Sequence, residues 1–210
     1  MTSLERRFHL VQAVRYVVRR GIPGAIVECG VWRGGSMMLV ATTLHTEQST
    51  RPLYLFDTFN GMCAPTDVDT DYLGRSAQRR LEAERSSMQT SHVWAIAGID
   101  DVRRNMATTG YPENEYHLVE GLVEETVPAN APDEIALLRL DTDWYESTAH
   151  ELEHLYPRVV AGGVVIIDDY GYWSGARKAV DEFLERSPVP ILLHRIDDTC
   201  RAFVKPGAPA

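Results

Sequence analysis

Ala25-Ile26-Val27-Glu28-Cys29-Gly30-Val31-Trp32-Arg33-Gly34-Gly35-Ser36 changes character twice within a dozen residues. Residues 25–29 form a short apolar run of the kind that makes a buried strand. Residues 30–35 are a glycine-rich turn, and residues 36–44 resume as a helix. The same alternation continues outward from this strand, turn and helix. Residues 53–56, 116–119, 135–140 and 164–167 are further apolar runs, and helical stretches are expected over 147–155 and 175–185. Upstream, Leu4, Phe8, Val11, Val14 and Val18 recur at helical spacing until Gly21 and Pro23 stop them, which places a helix in residues 1–20. Downstream, runs at 191–196 and 202–204 suggest a closing antiparallel hairpin. Nearly continuous apolar strands alternating with helices are the pattern of a sheet covered on both faces. The expected fold is therefore α/β, a doubly wound, mostly parallel, seven-stranded sheet with an antiparallel C-terminal strand. A single domain over residues 1–210 suits the length. Residues 62–93 lack clean periodicity and read as a loop or lid.

Composition narrows the function. The chain is 44% hydrophobic and 24% charged, and it contains no apolar run long enough for a membrane span. The opening residues are interrupted by Glu5, Arg6, Arg7 and Arg15, which does not fit a secretory signal. Cys29, Cys63 and Cys200 lie far apart and are odd in number, so neither a disulfide framework nor a zinc pair is indicated, and a reducing cytoplasm is the expected compartment. A net charge of −9 disfavours a nucleic-acid partner. Small molecules are the expected substrates.

In a doubly wound sheet, ligands bind beyond the carboxyl ends of the strands. The first strand end supplies Glu28 and the glycine turn, where backbone and a helix N-terminus can meet a carboxylate or a phosphate. An acidic Glu28 adds nothing for a pyrophosphate but suits the ammonium group of an amino-acid-like ligand. The second strand ends in Asp57, 27 residues after Gly30, where a carboxylate can accept the hydroxyl protons of a ribose. Two later strand ends carry Asp141-Thr142-Asp143 and Asp168-Asp169. Several carboxylates in one crevice repel one another, and Arg139 is the only basic residue within those segments. An oxygen-only donor set suits a hard cation such as magnesium, calcium or manganese. The structural alternatives are that Asp143 caps the following helix, that Ser147 or Thr148 bonds its free N–H groups, and that Asp168-Asp169 begin a turn. Trp32, Trp144, Trp173 and Tyr170 fall near strand ends and suit either an aromatic wall or core packing. The histidines lack ligand spacing.

With these residues in view, the chain resembles the macrocin O-methyltransferase family, which modifies sugar hydroxyls in antibiotic biosynthesis. The resemblance rests on four ordered blocks: residues 27–36, Leu55-Phe56-Asp57-Thr58-Phe59-Asn60-Gly61-Met62, residues 138–148, and Gly162-Gly163-Val164-Val165-Ile166-Ile167-Asp168-Asp169-Tyr170-Gly171. It implies a Rossmann-like class I methyltransferase that uses S-adenosylmethionine and magnesium. Glu28, Gly30 and Ser36 would face the methionyl part of the cofactor, and Asp57 would hold the ribose. Residues 121–128 would border the adenine. Asp141, Asp168 and Asp169 would hold the metal, and Asp141 would also accept the proton, with Asp143 as its rival. The implied acceptor is a sugar or glycoside, and the implied assembly is a homo-oligomer. Two other readings fit the residues alone: a nicotinamide-dependent oxidoreductase on the same turn and Asp57, and an inactive cofactor-binding scaffold subunit.

Overall fold

Parallel strands buried on both faces must be apolar along their whole length, and the central strands satisfy this. In the computed structural model, which describes residues 2–207, all five residues of β1 (Ala25–Cys29) and all six of β4 (Ile135–Leu140) are buried. With β2 (Leu53–Asp57), β3 (Tyr116–Glu120), β5 (Val159–Ile167), β6 (His194–Arg195) and β7 (Arg201–Val204) they make one seven-stranded sheet in the order β3-β2-β1-β4-β5-β7-β6. The first five strands pair in parallel, whereas β7 runs antiparallel to β5 and to β6. The order turns back on itself between β1 and β4. That switch point opens a crevice at their carboxyl ends.

Alternate strand residues serve opposite layers. Ile26, Leu55, Leu137 and Ile166 pack under α1 (Leu4–Arg19), α2 (Gly35–Thr46) and α4 (Ile99–Ala107). Val27, Phe56, Leu138 and Ile167 face the other layer, formed by α5 (Val123–Thr126), α6 (Tyr145–His154) and α7 (Ser174–Arg186). In α1 the buried stripe is Leu10, Ala13, Val14 and Val17, and the Ser3 hydroxyl caps the helix by accepting the Arg6 N–H.

Three features depart from the sequence expectation. The run at 191–196 contributes only His194 and Arg195 to the sheet, as an edge pair held by β7 alone. Helix α4 was not expected, although Ile99, Val102 and Met106 follow helical spacing and two of them are fully buried. Residues 62–93 are not a bare loop, because they contain α3 (Ala77–Ala83), capped by Ser76, and a 3-10 turn at Arg85–Ser87. Charge rather than apolar periodicity fixes the root of this segment. Buried Asp69 accepts hydrogen bonds from the Thr66 N–H and hydroxyl and from the Tyr145 N–H, while buried Asp71 pairs with Arg75 at 2.7 Å.

Gly30 joins β1 to the crevice at φ +79°, and a Cβ there would lie 2.0 Å from the Asp141 carbonyl oxygen. The Asp141 N–H donates to the Cys29 carbonyl, so the strands close tightly at this point. Gly30→Ala should lower unfolding free energy by about 2–4 kcal/mol in urea denaturation, from left-handed strain plus the backbone clash. A loss within experimental error would show that the two strand ends can separate.

Candidate active site

The crevice holds a cavity of about 500 Å³. One end is bordered by Gly30, Trp32 and Asp57 from the β1 and β2 ends and by residues 121–124, which join β3 to α5. The other end is bordered by Asp141, Asp143, Asp168 and Asp169, with Arg6 of α1 beside them and Tyr172 and Trp173 opposite.

Asp57 braces the glycine turn. Its Oδ2 accepts the N–H groups of Val31 at 2.6 Å and Trp32 at 2.9 Å, and its Oδ1 accepts that of Phe59 at 2.7 Å. Glu28 lies beneath the cavity floor, 1% exposed, with Oε1 on the Arg139 guanidinium at 2.6 Å. It therefore meets an internal cation, where the sequence suggested a ligand's ammonium group. Ser36 sits in the first turn of α2 and does not border the cavity. Gly30 and Asp57 do.

The carboxylates in the crevice are less lonely than the sequence implied. Arg139, 4% exposed, donates through Nη1 to Glu28 and to Asp141 Oδ2 at 2.7 Å, and through Nη2 to Asp168 Oδ1 at 2.6 Å. Arg6 reaches down from α1 to the other oxygen of Asp168. Asp141, Asp143 and Asp169 instead converge, each offering an oxygen within 4.8 Å of the other two. Of the three expected metal ligands, the structure thus brings Asp141 and Asp169 together with Asp143, while both oxygens of Asp168 are engaged by arginine.

Asp143 adopts φ +69°, the left-handed region that turns its side chain into the cluster. It does not cap α6. The N–H of Tyr145 goes to Asp69, and the Ser147 hydroxyl donates to Glu124 at 2.8 Å, so neither Ser147 nor Thr148 caps the helix. Burial and mutual repulsion raise all three carboxyl groups of the cluster, Asp143 to about 7 and Asp141 and Asp169 well above the usual range. Asp169 Oδ2 is buried without a hydrogen-bond partner. Three hard oxygen donors, an orphaned buried oxygen and mutual carboxylate repulsion fit a divalent cation.

The model of the macrocin-O-methyltransferase (TylF) family matches residues 1–205. The chain belongs to this family. It is an O-methyltransferase. Among curated relatives, it is 34% identical over 200 residues to 8-demethyl-8-(2,3-dimethoxy-alpha-L-rhamnosyl)-tetracenomycin-C 4'-O-methyltransferase of Streptomyces olivaceus, covering 95% of this chain and 72% of that one. It is 33% identical over 198 residues to demethyldecarbamoylnovobiocin O-methyltransferase of Streptomyces niveus, covering 94% and 72% respectively. Among solved structures, the O-methyltransferase NovP superimposes with a TM-score of 0.82 at 31% identity, over 98% of this chain and 81% of that one. The nicotinamide-dependent oxidoreductase considered from the sequence is set aside by this membership.

Within this O-methyltransferase, Trp32, Tyr172 and Trp173 are among the aromatic residues that border the cavity, with Phe56 and His92. Trp144 is buried, packing edge-on against Trp173 with ring centroids 4.9 Å apart, and Tyr170 does not border the cavity. Sequence reasoning gave no site role to Arg6 or Tyr172, whereas Glu124 falls in the 121–128 segment expected beside the ligand. Of the first two, only Tyr172 carried a local signal, as a second aromatic beside Trp173 just after a strand end.

Burial also pushes the Glu28 carboxyl up to about 7, against the pull of Arg139. Folded-state values above the unfolded ones mean that the native chain holds protons that the unfolded chain has released. The stability these groups contribute is then full below their unfolded values and is lost as pH rises through 7. Without divalent ions, the urea midpoint should drop between about pH 5 and about pH 7.5, by the equivalent of about 2 kcal/mol. A midpoint that rises over this interval would show that these carboxylates are ionised and compensated in the folded chain.

Proposed function

We propose that this enzyme moves the methyl group of S-adenosylmethionine to a sugar hydroxyl of a glycosylated natural product, with a divalent cation, magnesium, bound at the strand-end aspartates. The observation that carries this reading is the convergence of Asp141, Asp143 and Asp169 on the cavity that Gly30 and Asp57 border from the other end. One end suits a nucleoside-bearing amino acid, and the other suits a cation and an acceptor hydroxyl. The family supports the acceptor class, since one relative is named for methylating a rhamnosyl-bearing tetracenomycin and another for the 3''-oxygen of mycinamicin III.

Each residue then has a role. Asp57 Oδ1 retains one lone pair beyond the backbone bond it accepts, which leaves it able to receive a ribose hydroxyl. The Gly30 turn admits the methionyl chain, with residues 121–124 beside the adenine. Asp141 and Asp169 hold the cation, and Asp168 completes the set once its arginine contacts loosen. When bound, the cation lowers the pKa of the acceptor hydroxyl as a Lewis acid. Of the two rivals for the proton, Asp143 is favoured, because Arg139 engages Asp141 and draws on its basicity whereas no arginine touches Asp143. The chain's main task is to hold the acceptor oxygen in line behind the methyl group. Residues 62–93 serve as a lid that excludes water. Met62, Arg80 and His92 border the cavity from above, and His92 meets Trp32 edge-on with centroids 5.7 Å apart.

Transfer of labelled methyl to a panel of glycosides with free sugar hydroxyls, including the two acceptors those relatives are named for, tests the reading. Label should appear on a sugar oxygen, disappear with a chelator and return with magnesium. Asp143→Asn should lower kcat by about 10²–10⁴-fold. Transfer that survives chelation, or label on nitrogen, would refute it.

A further inference from the structure

Arg6 lies in the first turns of α1, 162 residues before the aspartate it meets, and it is the second cation of the crevice. Its Nη1 donates to Asp168 Oδ2, its Nη2 to the Thr199 hydroxyl, and its Nε to Asp197 Oδ2 at 2.7 Å. The Ser3 hydroxyl donates to the same Asp197 oxygen at 2.8 Å, and Thr199 in turn donates to the Asp168 carbonyl at 3.1 Å. The guanidinium borders the cavity together with Thr2 and Thr199, and its side chain is 15% exposed. The start of α1 is therefore a wall of the site, pinned there by Arg6 and Ser3.

Arg6 and Arg139 divide the two oxygens of Asp168. Arg139 comes from the strand beside it, is buried, and holds that carboxylate from within the sheet. Arg6 reaches it from α1, adding a positive charge and occupying the second oxygen.

We propose that Arg6 is a built-in counter-cation that competes with a divalent ion for Asp168, so that cation binding and docking of the first turns of α1 oppose each other. This rests on the cation site proposed above. Two effects act in the same direction. An ion at the cluster is repelled by the guanidinium across a partly buried crevice, where charges are poorly screened. A ligand oxygen at Asp168 also becomes free only when Arg6 lets go. Coupling of this kind is reciprocal, so an ion that weakens the Arg6 contact must itself be weakened by it. Charge in the empty site is held down by Arg6, and the same residue loosens the helix beside the acceptor space when the ion arrives.

Titration of the full chain with Mn²⁺, with free ion counted by its EPR signal, tests this on the unaltered protein, Arg6→Gln and Arg6→Lys. Arg6→Gln should bind Mn²⁺ about tenfold more tightly than the unaltered chain. Arg6→Lys, which keeps the charge but cannot reproduce the forked contacts, should stay much closer to the unaltered chain. A merely structural role predicts the reverse, with both variants equally impaired. In the unaltered chain, hydrogen exchange reads the other side of the coupling: saturating Mn²⁺ should speed exchange of the amides at residues 4–10, and this arm decides if Arg6→Gln does not fold. If the unaltered chain binds Mn²⁺ but Arg6→Gln binds it no more tightly, or exchange at residues 4–10 slows, this inference fails alone. If the unaltered chain binds no Mn²⁺, the cation site itself is wrong and the inference falls with it.

Discussion

A single buried guanidinium sets the geometry of the crevice. Arg139 sits next to Glu28 across the β1–β4 pairing and next to Ile166 across the β4–β5 pairing, with Asp168 two residues beyond Ile166. Residues two apart in a strand share a face, so Glu28, Arg139, Asp141 and Asp168 all project towards the layer that contains α1. A buried pair gains little net stability, because desolvation of both ions consumes most of the attraction, but a buried charge without its partner costs several kcal/mol. The network therefore acts mainly as a specification. A one-residue slip between β1 and β4 would send Arg139 to the opposite face, leaving Glu28 unpaired and Asp168 with Arg6 alone, so the register that aligns the strand ends is the one that compensates the charges.

The same parity explains what the sequence could and could not reveal. The β1, β2 and β4 runs are legible because burial on both faces demands unbroken apolar residues, and the Asp pairs after β4 and β5 are legible because nothing in the core tolerates them. Which of the four aspartates meet is not legible from composition or spacing. It depends on Asp143 adopting positive φ and on Arg6, whose approach to Asp168 is a tertiary contact between α1 and the end of β5. Helix α4 had adequate periodicity, but it is short and rich in charge. Residues 62–77 offered none, because their fold is held by N–H groups donating to Asp69 and Asp71 rather than by an apolar stripe.

Asp69 ties the lid's root to the chemistry. It accepts the Tyr145 N–H and so supplies the cap that α6 lacks locally, two residues after Asp143. It also lies against the start of α7, where a Cβ at Gly175 would fall 1.8 Å from Asp69 Oδ1, so only glycine leaves room for that carboxylate. Ser174 in turn donates its hydroxyl to the Val68 and Thr70 carbonyls. The helices that follow the two aspartate pairs thus share one buried anchor, which comes from neither of them. If the cap were lost, α6 would be free to fray from its first residue, and the left-handed turn at Asp143 would lose the fixed neighbour that makes its strain worth holding. In the proposed lid, motion would fall to the outer part, around α3 and His92, while Asp69 holds the root. Opening would then leave in place the aspartates proposed to meet the acceptor.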